Sequence, residues 1–384
     1  MYDLIIRGGM IVDGTRAPAY QADVCIQNGR IAEITAQCGA EAKEVIDAAG
    51  KIVSPGFIDI HTHSDLAPLS PFDPESKTNQ GVTFELTGNC GISPLPSTPE
   101  TRAAITEYYL SNLQYPPMDI TVNTLDEYIR QANAHRNIAN YGMLIGHSAL
   151  RGCVMGFDNR PPTLDELSAM EDRLDKELSM GAFGMSLGLI YPPSAFAETG
   201  ELDSLARVVR KHNGFLAVHI RNEGPRVFES VEEMLGVAER SGVHLQISHL
   251  KIMTKSLWGH SQRLLDMIDA ARECGIHVTC DQYPFFASST GMTALVPKWA
   301  HAGGLHPMLA RINEPEQKLR DDIAREMESR GGAERVMISS THGTEPAWEG
   351  KTVSDIAAQL GQDPVDAVLT ILQRCHANVH CNYF

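Results

Sequence analysis

Five residues have the types and spacing to do chemistry together. In "GFIDIHTHSD" (56–65), His61 and His63 stand two apart at the end of an apolar run. Side chains two apart in a strand share a face and lie about 6.5–7 Å apart along it. Two imidazoles on one face repel if protonated and are useful if they share a cation. A strand end whose histidines meet solvent or a carboxylate is the plain alternative, so the case for a metal rests on partners.

Those partners stand at the ends of later apolar runs: Cys90 in "TGNCGIS", His219 in "AVHIRNE" and His249 in "ISHLK". His147 and "CDQYP" (280–284) fall at corresponding places. Thiolate plus imidazole suits zinc better than magnesium or calcium. A core histidine bonded to a backbone carbonyl explains any one of these residues, but five such ligands reaching one rim by chance is a poor explanation. A lone cysteine is commonly buried filler. Cys90, however, sits in a Gly-Asn-Cys-Gly loop whose backbone freedom permits close approach to an ion. Zinc would stabilise its thiolate, and that one anion could bridge two metals. "GMSLG" (184–188) matches the G-x-S-x-G pattern of serine hydrolases, with Ser186 as nucleophile. That pattern needs a strand-to-helix turn, and the following Leu-Ile-Tyr-Pro-Pro cannot open a helix at once, so Ser186 is read as a small residue at a crowded strand.

The elements that must position these residues are short apolar strands separated by helical stretches. The strands fall at 57–61, 82–88, 141–147, 182–188, 215–220, 243–249 and 276–282. One intervening helix has a capping box in Thr163 and Glu166, an apolar stripe at Leu164, Leu167, Met170, Leu174 and Leu178, and a stop at Gly181. Strands alternating with helices imply a parallel sheet, and seven such units favour a (β/α)8 TIM-like barrel, with a doubly wound sheet as the fallback. Working residues then belong at the C-terminal strand ends. Residues 1–55 read instead as a small β domain, with a hairpin at Asn28-Gly29. The barrel is assigned to 56–384, and its rhythm breaks at about 284–350, a stretch read as a lid insertion. A further helix opens at Asp363-Pro364.

Composition narrows the class. A net charge of −16 over 384 residues argues against nucleic acid or an anionic membrane as the main partner. Neither a signal peptide nor an 18-residue apolar run is found. Eight scattered cysteines without a CxxC fit reduced thiols in a cytoplasm better than a disulfide framework.

The combination "GFIDIHTHSD", "GVTFELTGNCGISPLP", "HIRNEG" and "ISHLK" resembles the D-aminoacylases, the N-acyl-D-amino-acid deacylases of the amidohydrolase superfamily, over essentially the whole chain. The resemblance implies one tight zinc on Cys90, His219 and His249, and a second, weaker site on His61, His63 and Cys90. It implies zinc-assisted hydrolysis of a small N-acyl-D-amino acid to a carboxylic acid and a D-amino acid. Lys251, two residues past His249, is the chosen cation for the substrate carboxylate, joined by Tyr191, Tyr283 and Ser289. Arg221 and Glu223 are read as a structural ion pair. The family also carries an aspartate at the end of the eighth barrel strand, acting as base and proton donor. No carboxylate after the seventh strand here follows a buried strand, so that residue is expected beyond Phe384 and the catalytic acid is unassigned. The expectation is therefore a barrel lacking its last strand, with an exposed edge on the N-terminal strands. Two alternatives stand beside this reading. One is another cyclic amidase of the superfamily, against which Cys90 and the lack of an obvious bridging lysine weigh. The other is a non-catalytic, truncated zinc or ligand binder, against which the retention of all five ligands argues.

Overall fold

The computed structural model describes residues 1–70, 76–113, 119–135 and 137–384. The chain divides into two compact units, residues 1–58 with 76–84 and residues 59–75 with 85–384.

The first unit holds strands β1 (Tyr2–Ile11), β2 (Tyr20–Gln27), β3 (Arg30–Thr35), β4 (Ala42–Asp47) and β5 (Ile52–Val53), in the order β3-β2-β1-β4 with β5 also on β1. β1 is antiparallel to β2 and parallel to β4. The β2–β3 hairpin turns at Asn28 and Gly29, both at positive φ (53° and 71°), as a tight two-residue turn requires. Ile31, Ile34, Val45, Ile46 and Ile52 of this unit are solvent-exposed, while Ile5, Ile11, Val24 and Cys25 form its small interior.

A second sheet is built from β6 (Phe57–Asp59), β7 (Val82–Thr87), β8 (Asn140–Gly146), β9 (Gly184–Gly188), β10 (Phe215–His219), β11 (His244–Ile247) and β12 (Val278–Cys280). They lie side by side in chain order, and β8 through β12 pair parallel. This is the barrel rhythm at seven strands, each within a few residues of its expected place. Two strand faces explain the composition: Leu144, Leu187, Leu216, Val218, Leu245 and Ile247 are all buried, as both-sided burial of a parallel sheet demands. The helix Leu164–Ser179 carries the expected capping box at Thr163 and Glu166. Its stripe is narrower than read, since Met170, Leu174 and Leu178 are buried but Leu164 is 86% exposed.

The stretch beyond β12 is an ordered body rather than an open insertion. β13 (Ser288–Gly291), β14 (Val336–Ser340) and β15 (His380–Tyr383) form an antiparallel sheet in the order β13-β15-β14. Helices Leu305–Asn313, Gln317–Ser329, Val353–Leu360 and Pro364–Arg374 surround it, the last capped by Asp363. A core of its own, including Met292, Ile312, Leu319, Ile338, Trp348 and Leu372, draws on residues from 292 to 383. The stretch read as a lid insertion at 284–350 shares this core and sheet with residues beyond 350, β15 included. No helix among the described residues is long and apolar enough to cross a membrane.

Candidate metal centre

β7, β10 and β11 each end within three residues of a donor. Cys90 follows β7 through Gly88, His219 is the last residue of β10, and His249 lies two beyond β11. Cys90 (φ +54°) and His249 (φ +37°) both occupy the left-handed region that side chains other than glycine rarely adopt. Such backbone strain persists only where the surroundings enforce it. At Cys90 the enforcement is visible. Gly88 and Gly91 flank the turn at φ +75° and +73°. Ser186 in β9 braces it, its hydroxyl donating to the Gly88 carbonyl and accepting from Gly91 N–H at 2.9 Å. Ser186 is fully buried in this bracing role, away from the nucleophile role that G-x-S-x-G invites.

The structure brings all five predicted donors together. One donor atom each from His61, His63 and Cys90, and likewise from Cys90, His219 and His249, lie within 4.8 Å of one another. Cys90 Sγ is 3.3 Å from His61 Nε2 and 3.5 Å from His249 Nε2. Burial opposes a thiolate at Cys90, but the positive charge available on His61 and His249 outweighs it and holds the thiol well below its ordinary range. Burial likewise opposes charge on His61, yet Cys90 and Asp281 push its pKa up to about 10. Among the described residues, neither ring nitrogen of the buried His219 has a hydrogen-bond partner. A buried polar atom without a partner is costly. Thiolate, imidazoles and orphaned nitrogens at these separations fit a zinc ion.

The carboxylates around the donors are those the sequence reading missed or misassigned. Glu223 is not paired with Arg221. Arg221 instead makes a two-pronged bond to Glu233 and caps the carbonyls of Ala195 and Ala197. Glu223, only 6% exposed, turns inward: its Oε1 is 3.0 Å from His249 Nδ1 and 2.5 Å from Lys251 Nζ, and its Oε2 is 3.5 Å from His219 Nε2. Burial would raise the Glu223 carboxyl, but Lys251 and the two histidines hold it well below the usual carboxylate range. Asp281, directly after β12, accepts from His249 N–H at 2.7 Å and sits 3.1 Å from His61 Nδ1. Its signal was its place at a strand end in "CDQYP".

A cleft of about 80 Å³ is lined by the donors His63, Cys90, His219 and His249 and by Lys251, Tyr191, Tyr283 and Ser289. All four residues read as substrate contacts thus line the same cleft as four of the donors. Tyr191 stacks edge-on to His219 and bonds Thr290 at 2.9 Å. Burial raises the hydroxyl pKa of both Tyr191 and Tyr283, so both remain hydrogen-bond donors. Arg330 also borders the cleft and had no signal in the sequence. His147 is elsewhere: it is fully buried between Ser194 and Glu201, bonded to each at 2.8 Å, with Arg151 on the same carboxylate.

Comparison with known proteins leads to the same place. The N-acyl-D-glutamate deacylase of Alcaligenes xylosoxydans xylosoxydans is 38% identical over 367 residues, which is 95% of this chain and 67% of that protein. The D-aminoacylase of the same organism is 35% identical over 289 residues, 75% of this chain and 58% of its own length. The chain thus spans about three-fifths to two-thirds of these relatives. The crystal structure of N-acyl-D-glutamate deacylase from Bordetella bronchiseptica, complexed with zinc and a phosphonate mimic of the tetrahedral intermediate, superimposes with a TM-score of 0.79 at 33% identity. That alignment covers 100% of this chain and 71% of the other. The amidohydrolase family profile matches residues 44–378, from the end of the N-terminal sheet through every donor named above. A seven-strand barrel sheet with its donors at the strand ends, and a profile match over most of the sequence, make this chain a member of the amidohydrolase family.

Proposed function

We propose that the protein hydrolyses the amide bond of N-acyl-D-amino acids, releasing a carboxylic acid and a free D-amino acid. The observation that carries this reading is Cys90, a buried thiol standing between two sets of histidines in an amidohydrolase barrel. Cys90, His219 and His249 would hold the tighter zinc, and His61, His63 and Cys90 a second, weaker one. Zinc bound there supplies Lewis-acid polarisation of an amide carbonyl and a nucleophile from water at neutral pH.

The chain's own residues do the aiming. Glu223 takes His249 by Nδ1 and leaves Nε2 facing Cys90. Asp281 does the same for His61. The Lys251 ammonium bonds Glu223 and, at the longer distance of 3.3 Å, the His249 carbonyl, and it borders the cleft where a substrate carboxylate would exchange for the weaker of these contacts. Tyr283, with its ring centre 5.5 Å from that ammonium, Tyr191 and Ser289 complete the carboxylate pocket. The substrate is a small molecule, and the net charge of −16 disfavours nucleic acid as a partner. Eight unpaired thiols support a reducing compartment such as the cytoplasm.

The test is zinc content per chain together with release of amino acid from N-acetyl-D- and N-acetyl-L-amino acids, in the wild type, C90S and H249N. The expected result is bound zinc and D-selective hydrolysis, both lost in either variant. Unchanged zinc and activity in C90S would remove the proposed centre. Hydrolysis confined to L-isomers or cyclic amides would instead remove the substrate assignment and leave the centre standing.

A further inference from the structure

Next to the cleft lies a much larger cavity of about 800 Å³. Tyr191, Glu223, Met253 and Arg330 border both spaces, so the cavity is the nearest large volume for a substrate held at the donors. The charged side chains on its wall are mostly neutralised in pairs. Arg221 lies on Glu233 at 2.9 Å and Arg330 on Glu326 at 2.9 Å. Arg226 and Glu229, also on the wall, are solvent-exposed.

Lys298 is different. Its ammonium donates to the carbonyl of Leu189 at 3.1 Å, and no carboxylate among the described residues is in ion-pair contact with it. Leu189 N–H in turn donates to the carbonyl of His219 at 3.0 Å, which moors this cation to the strand end carrying a donor. Burial and the positive charge of Arg221 lower its pKa to about 8. A neutral carbonyl occupies one of three donors. A half-buried cation with donors to spare is poorly stabilised until an anion joins it.

We propose that Lys298 forms an anion subsite that takes a second carboxylate of the substrate, remote from the scissile amide. The proposal rests on the deacylase reading for its substrate class and adds to it the acidic group. Charge-assisted hydrogen bonds in a partly desolvated pocket are strong, and a neutral group of the same shape leaves the ammonium unpaired. The 38%-identical relative is named for N-acyl-D-glutamate, a compound with such a second carboxylate.

The experiment measures binding to the zinc-loaded protein for two matched pairs. N-acetyl-D-glutamate against N-acetyl-D-glutamine places the carboxylate on the amino-acid side chain. N-succinyl-D-alanine against N-butanoyl-D-alanine places it on the acyl group. The expected result is a preference of about ten- to a hundredfold for the acidic member of one pair, from the usual worth of a charged hydrogen bond. K298M should bring the two affinities together and K298R should keep them apart, and the pair that responds identifies the end of the substrate concerned. No preference in either pair, or one that survives K298M, overturns the subsite. If no N-acyl compound binds at all, the deacylase reading has failed and the subsite is judged separately. Glutarate should then still protect Lys298 from acetic anhydride, measured by peptide mass spectrometry, and absence of protection overturns it.

Discussion

A histidine offers a metal one ring nitrogen, and whatever holds the other nitrogen aims it. Glu223 holds His249 and also anchors Lys251, so one carboxylate links a metal donor to a substrate cation. Replacing it with glutamine keeps the shape and removes the charge. We expect E223Q to weaken zinc by about 10–100-fold, the usual effect of losing such a partner, as read by competition with a chelator. Zinc affinity equal to wild type would show that His249 is held by packing alone. D281N addresses His61 in the same way, and its expected effect is on the second equivalent of metal, with the first retained. The five donors were legible because strand ends and a two-residue period are properties of the sequence. The role of Glu223 was not: Arg221 is a nearer partner in sequence, and only the path of the loop after His219 decides that the guanidinium goes to Glu233 and the carboxylate turns inward.

The elements place Cys90 through a turn with almost no spare room. A Cβ on Gly91 would lie 2.4 Å from Gly188 N, and one on Gly188 would lie 2.0 Å from the Cys90 carbonyl oxygen. G91A therefore combines overlap with backbone strain at φ +73°, the strain alone costing about 1–3 kcal/mol. It should lower the melting temperature and empty the zinc site. The control is G259A, at φ +87° with nothing within 4 Å of its Cβ. That variant should pay for strain only and keep its zinc. Equal zinc in G91A and G259A would mean that the turn does not set the position of Cys90. Barrel strands could be read from the sequence because each is a local apolar run with a helix behind it. The sheet beyond β12 could not, since β13 pairs Ser288 with Tyr383 and Gly291 with His380 across about ninety residues of chain. Its strands SSTG and HCNY carry no apolar run or alternation that marks them.

At the scale of the molecule, the stretch beyond β12 has a core of its own, and it borders the cleft through Ser288, Ser289, Thr290 and Arg330. Two histidines, His380 buried and His301 half-buried, make the stability of this body depend on pH. Burial lowers the pKa of His301 to about 4, with the Val296 carbonyl opposing and Arg311 adding to the fall, and burial likewise holds His380 at about 4. An unfolded chain binds the proton at the ordinary value near 6.5. As pH falls below 6.5 the unfolded state protonates first, so the contribution of these groups is complete above 6.5 and is lost as pH falls through 4. The same descent would also strip zinc from deprotonated ligands, so the measurement belongs on chelator-treated protein. Melting temperature should drop between pH 7.5 and pH 5 in the wild type. The drop should be smaller in H301Q, which can still donate to Val296 but cannot take up a proton. Parallel curves for the two proteins would show that His301 does not supply the acid sensitivity of this part of the fold.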